Sequence, residues 1–273
     1  MPLRMIADAA ASADARSFVA AASAAGAGAG AATGAGAATS PAPSAGGLHA
    51  AYATALAAIA AERHDDDVAD LPLVAVQPAQ PSGTAFAILY SGDGGWRDLD
   101  QRLAGELADK GMPVVGVDVL RYYWHRKSPE AAARDLTRVV RHYQAAWHRD
   151  RVLLIGFSFG ANVLPFLYNH LQPEVQATVQ GIVLLSPERR TAFEVDPRGW
   201  FGNAATAGQV EIAPQLATLP ASRALCIYGT EEAGDSLCTL PQAGALRVVR
   251  KPGGHHFDED YDQLADGILA ATR

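Results

Sequence analysis

The sequence predicts an α/β fold: a doubly wound, mostly parallel sheet with flanking helices and a small cap region. Two observations carry this. From Leu71 onward, apolar runs of four to seven residues alternate with longer segments in which apolar residues recur every three or four positions. That is the pattern of buried parallel strands joined by crossover helices. No internal repeat divides it, so a single catalytic-sized domain is expected over residues 68 to 273.

The expected strands are Ala85 to Tyr90, Val114 to Val117, Val152 to Ile155, Ile182 to Leu185, Ala224 to Tyr228 and Leu246 to Val249. Between and after them, Leu99 to Lys110, Pro129 to Trp147, Phe159 to Leu171 and Asp260 to Ala271 have helical periodicity. The N-terminal residues 1 to 67 differ in kind. Of the first fifty positions 28 are alanine or glycine, too little side chain to offset the entropy of ordering. We expect a disordered low-complexity segment, then a short helix from Ala50 to Glu62 and the acidic run Asp65, Asp66, Asp67. Arg4 and Arg16 ahead of a small-residue stretch with Ala-x-Ala sites are pieces of a secretory signal, although Asp8 and Asp14 interrupt the basic flank.

Composition excludes some functions. Twenty-two basic against 29 acidic residues give a net charge of −7. No basic cluster offers phosphates a binding face, so no nucleic-acid partner is expected. No stretch is long and apolar enough to predict a transmembrane helix.

The chemistry is announced by Gly156-Phe157-Ser158-Phe159-Gly160, which follows one predicted strand and opens a predicted helix. A G-x-S-x-G pentapeptide in that context is a nucleophile elbow: the sharp turn strains the serine backbone and requires small flanking residues. An ordinary helix-capping serine is the bland alternative. A nucleophilic serine needs a base and an orienting acid, which in this arrangement come later in the chain, acid before histidine. Pro252-Gly253-Gly254-His255-His256-Phe257 supplies the base. His255, directly after the glycine pair, is expected to serve, with His256 as the alternative. The loop Gly229 to Asp235 offers three carboxylates after a strand. Asp235 is the expected acid, aspartate being the commoner choice, and Glu232 competes on spacing. Backbone amides of Asp93 or Gly94, in Ser91-Gly92-Asp93-Gly94-Gly95-Trp96, and of Phe159 are the expected oxyanion donors. The loop's glycines do not have the G-x-G-x-x-G spacing of a dinucleotide cradle.

Cys226 and Cys238 are the only cysteines and bracket the acid loop. A disulfide between them would pin the carboxylate and points to an oxidising compartment. From Ser186 to Leu216 regular pattern is weak, but Phe193, Trp200 and Phe201 would suit a substrate cap.

Taken together, the chain resembles the α/β-hydrolase superfamily and, within it, the VirJ/AcvB group of bacterial virulence-associated hydrolases. The resemblance rests on Ser91 to Trp96 with Asp98-Leu99-Asp100, Tyr122-Tyr123-Trp124 before Ser128-Pro129-Glu130, and Gly156 to Phe166. It continues through Leu185-Ser186-Pro187, Phe193-Glu194, Gly199-Trp200, Cys226 to Gly229 with Glu231-Glu232 and Cys238, and Gly253 to Phe257. It implies a periplasmic serine hydrolase that cleaves the aminoacyl ester of aminoacylated phosphatidylglycerol, such as the lysyl lipid, through Ser158, His255 and Asp235. Glu231, Glu232 and Trp200 would then contact substrate, with Asp93 a further carboxylate for a cationic acyl group. The implied enzyme is a monomer that meets its phospholipid at the membrane surface and needs no metal or organic cofactor. A general carboxylesterase or thioesterase, and an accessory protein of virulence or secretion using the fold for binding, are the competing expectations.

Overall fold

The computed structural model describes residues 67–196 and 208–272. The expected low-complexity segment and short helix lie outside the described residues, as do Trp200 and Phe201 of the expected cap. The described residues fall within one unit, Ala55–Arg273.

Seven strands form the main sheet: β1 (Leu73–Val76), β2 (Ala85–Tyr90), β3 (Val114–Val117), β4 (Arg151–Phe157), β5 (Val179–Leu185), β6 (Ala224–Gly229) and β7 (Arg247–Lys251). Their spatial order is β1-β3-β2-β4-β5-β6-β7. Only the β1–β3 pair is antiparallel. Helices α1 (Leu99–Asp109), α2 (Pro129–Trp147), α3 (Phe159–Asn169) and α4 (Tyr261–Ala271) cover it.

The helices divide between the two faces as a doubly wound sheet requires. Along β2, Phe86, Ile88 and Tyr90 pack with Leu136, Val140, Val163 and Leu167 of α2 and α3. The alternate residues Ala87 and Leu89 pack with Leu103 and Leu107 of α1 and Leu264 and Ile268 of α4. Every residue of β2 and β3 is buried, which explains why these strands read as continuous apolar runs.

Helix ends follow local chemistry. Ser128 caps α2 by accepting from the Ala131 amide at 3.2 Å, with Pro129 at the first helical position. His148 ends the same helix in a left-handed conformation. Asp260 caps α4 by accepting from the Gln263 amide at 3.2 Å. The consequence for function is positional: the parallel strands present their carboxyl ends on one edge, where β2, β4, β5, β6 and β7 deliver their following loops.

Candidate active site

Strand β4 ends at Phe157 and α3 begins at Phe159, leaving Ser158 as the single residue in the turn. Its backbone has φ 52° and ψ −116°, a conformation costly for any residue with a side chain. Two contacts hold it there. The Ser158 amide donates to Leu185 O at 2.9 Å, and the Gly160 amide donates to Ser91 O at 3.1 Å. A Cβ on Gly156 would come 2.5 Å from Gly160 O, and one on Gly160 would come 2.7 Å from Ser91 O. Both glycines are therefore steric requirements of the turn.

The loop after β2 lies beside this serine. A Cβ on Gly92 would come within 3.6 Å of Ser158 Cβ. The Ser91 hydroxyl donates to Gly92 O at 3.0 Å and accepts from the Val119 amide at 3.0 Å, while the Gly95 amide closes a turn onto Gly92 O at 3.1 Å. Asp93 and Gly94 line one cleft of about 130 Å3 with Ser158, His255 and His256. The Phe159 amide opens α3, where no carbonyl four residues earlier in the helix is available to it. Both expected oxyanion donors thus border the serine.

His255 Nδ1 is hydrogen-bonded to Glu232 Oε1. Asp235, the acid expected from the sequence, is exposed and has no hydrogen bond to His255 among the described contacts; its amide donates to Glu232 O at 3.0 Å. The reason is turn geometry. Immediately after β6 the chain enters a 3-10 turn, Thr230–Glu232, which brings Glu232 back over the end of β5. Asp235 comes after a further turn, exposed at the wall of the cleft that Glu232 and His255 also line. The histidine loop and this acid loop meet backbone to backbone, since a Cβ on Gly229 would come 2.7 Å from Gly253 O. His256, the alternative base, points elsewhere: its Nδ1 lies 3.4 Å from the Tyr261 hydroxyl. The His255 ring tilts against Phe157 with centroids 5.0 Å apart.

Three residues that sequence reasoning gave no role complete the surroundings. The Ser186 hydroxyl, at the end of β5, donates to Glu232 Oε2 at 2.8 Å. Asn162, 2% exposed on α3, donates to Glu188 Oε2 at 2.9 Å and accepts from the Glu188 amide at 2.8 Å. Its signal was an amide in an otherwise apolar helix, four residues after the nucleophile. Burial of its carboxyl among neighbouring groups raises Glu188 above the usual carboxylate range, and the nearby Asp93 and Glu232 charges add to that. The third residue, Asp100 of α1, is 3% exposed, and its Oδ1 has no hydrogen-bond partner among the described residues. A second cleft, of about 270 Å3, lies on the acid side of His255 and is lined by Ser186, Glu188, Glu231, Glu232 and Asp235. Cys226 of β6 and Cys238 are disulfide-bonded, which ties the far end of the acid loop to the sheet. Phe193, expected in the cap, is buried edge-on against Phe166 of α3 with centroids 5.2 Å apart.

Against known families, residues 84–273 match the family model described as bacterial virulence protein (VirJ). The chain belongs to the VirJ family. Among solved structures it is similar to Est1E from Butyrivibrio proteoclasticus with bound ferulic acid, at 14% identity and a TM-score of 0.53, covering 75% of this chain and 95% of that one. Proline iminopeptidase from Mycobacterium smegmatis matches at 14% identity and a TM-score of 0.50, over 73% of this chain and 94% of that one. The search of curated proteins returns no match. At these identities the solved structures establish the fold of this VirJ-family chain, an α/β-hydrolase fold. No helix among the described residues is long and apolar enough to cross a membrane.

Proposed function

We propose that this VirJ-family protein is a serine hydrolase that cleaves the aminoacyl ester of an aminoacylated phosphatidylglycerol through Ser158, His255 and Glu232. The observation that carries the reading is the convergence of a strained serine, a carboxylate-paired histidine and the glycine-rich loop after β2 around one cleft at the sheet edge. His255 takes the Ser158 proton as the hydroxyl attacks the ester carbonyl, and Glu232 holds the Nδ1 proton and stabilises the imidazolium. The amides of Phe159 and of Asp93 or Gly94 receive the developing oxyanion. The lipid hydroxyl leaves with the proton from His255, and water then releases the amino acid from the acyl-enzyme.

Family membership and charge support the aminoacyl part. An aminoacyl group carries an ammonium, and Glu188, Glu231 and Asp93 border the two clefts. The Cys226–Cys238 disulfide supports an oxidising compartment such as the periplasm. A second reading, hydrolysis of a small acyl ester or thioester, is favoured by the modest size of the cleft beside Ser158.

Release of amino acid from lysyl- and alanyl-phosphatidylglycerol by wild type and Ser158→Ala separates these readings. We expect wild-type release, and a loss on the order of a thousandfold or more in the variant. Turnover of a small ester through Ser158 with neither lipid cleaved would leave the hydrolase and remove its lipid substrate. Full biological activity of Ser158→Ala would instead favour a binding role for the fold.

A further inference from the structure

Leu185-Ser186-Pro187 stands out in the sequence but has no part in the chemistry described above. We propose that Ser186 is a positioning residue that holds Glu232 in register with His255, an inference that rests on the Ser158–His255–Glu232 reading. Its hydroxyl is the second anchor of the carboxylate: Oε1 pairs with His255 and Oε2 accepts from Ser186 Oγ at 2.8 Å. A carboxylate fixed at both oxygens cannot swing about its terminal torsion, which is otherwise broad and roughly two-fold.

The surroundings show why the hydroxyl belongs at this place. Ser186 is only 3% exposed at the wall of the cleft on the acid side of His255, so its donor is committed mainly to protein acceptors. The same oxygen lies 3.3 Å from His255 O. The Ser186 amide donates to Ile227 O at 2.8 Å, fastening the end of β5 to β6. One residue thus touches the strand that supports the acid, the acid itself and the backbone of the base. Its φ is 48°, a region glycine enters freely and a side chain enters at a cost. Folding alone would favour glycine here; serine adds the hydroxyl.

That contrast supplies the test. Ser186→Gly and Ser186→Ala both remove the hydroxyl, and the glycine variant also relieves the backbone, so loss of function in both is not a folding defect. With a soluble p-nitrophenyl ester we expect kcat to fall roughly ten- to a hundredfold in both variants, the loss of one net hydrogen bond to a charged group, with KM nearly unchanged. An activity-independent readout is the downfield proton resonance of the His255 ring Nδ1–H, assigned by its absence in His255→Gln. Without the serine donor the carboxylate is free to turn about its terminal torsion, its pairing with that proton loosens, and the resonance moves upfield. An unmoved resonance in both variants overturns the proposal whatever happens to turnover. Failure of the triad reading would appear separately, as turnover surviving in Ser158→Ala.

Discussion

At the scale of single residues, the choice between Glu232 and Asp235 and the burial of Asp100 each have a consequence that can be measured. Glu232→Gln keeps the shape of the side chain but removes the charge that orients His255. It should lower kcat by about a hundredfold or more, as loss of an orienting carboxylate does in comparable triads. Asp235→Asn should stay within about twofold of wild type, since that side chain is exposed and does not reach the ring. Kinetics on one soluble ester compare the two, and the reverse order would restore Asp235 as the acid. Asp100 acts on stability instead. Burial pushes its carboxyl from 3.8 up to about 7, against the lowering effect of hydrogen bonds from the backbone of Arg97 and Gly92. Because the folded state then holds its proton where the unfolded chain has lost it, stability falls as pH rises from about 4 to about 7, by up to about 4 kcal/mol for this group. Asp100→Asn has no proton to lose. Urea unfolding across pH should show the variant gaining on wild type through that window and level with it in dependence below pH 4, and a gap that does not vary with pH would refute the assignment.

Among the elements, what the sequence made legible divides along physical lines. All six expected strands are present: β2 to β6 because strands buried on both faces read as apolar runs, and the largely exposed edge strand β7 through Leu246, Val248 and Val249, with β2 and β3 at their expected bounds and the others shifted by up to three residues at an end. Strand β1 was not expected although Leu73-Val74-Ala75-Val76 is an apolar run: it is a four-residue edge whose Val74 and Ala75 are exposed, and such a short run directly after Pro72 has no sequence mark that separates a strand from a loop. The nucleophile was legible because the elbow's glycines are steric necessities, visible as letters. The acid was not, since three carboxylates lie within five residues and a 3-10 turn decides which one comes back to His255. Ser186 and Asn162 were illegible because their roles depend on partners 46 and 26 residues away. The disulfide joins these levels, linking β6 to the end of the acid loop across a separation of 12 residues. Replacing both cysteines with serine should cost about 3 kcal/mol of unfolding free energy, the order expected for closing a loop of this length. It should also lower kcat, as Glu232 lies inside that loop. Chemical denaturation and kinetics on the same samples check both parts, and unchanged stability would show that the sheet holds the loop without the bond.

For the molecule as a whole, charge and substrate connect. The chain carries −7 overall, and Glu188, Glu231, Asp93 and Asp235 border the two clefts that flank His255, where acidic side chains outnumber the one arginine, Arg97. Clefts lined by one sign of charge concentrate ligands of the other sign and speed their arrival, an effect that salt removes. A lysyl ester therefore gains from this field at low ionic strength, and an acetyl ester of the same leaving group does not. Between about 0.01 M and 0.15 M salt the screening length shortens from about 30 Å to about 8 Å, so the distant part of the field is lost while contacts within the cleft persist. The expected result is a severalfold fall in kcat/KM for the lysyl ester across that range, carried mainly by the second-order encounter, with the acetyl ester nearly flat. Glu188→Gln should reduce the difference between the two esters at both salt concentrations, because its carboxyl is held by Asn162 beside the base. Equal salt responses for the two esters would mean that the acidic surface plays no part in choosing substrate, and selectivity for an aminoacyl group would then have to come from short-range contacts alone.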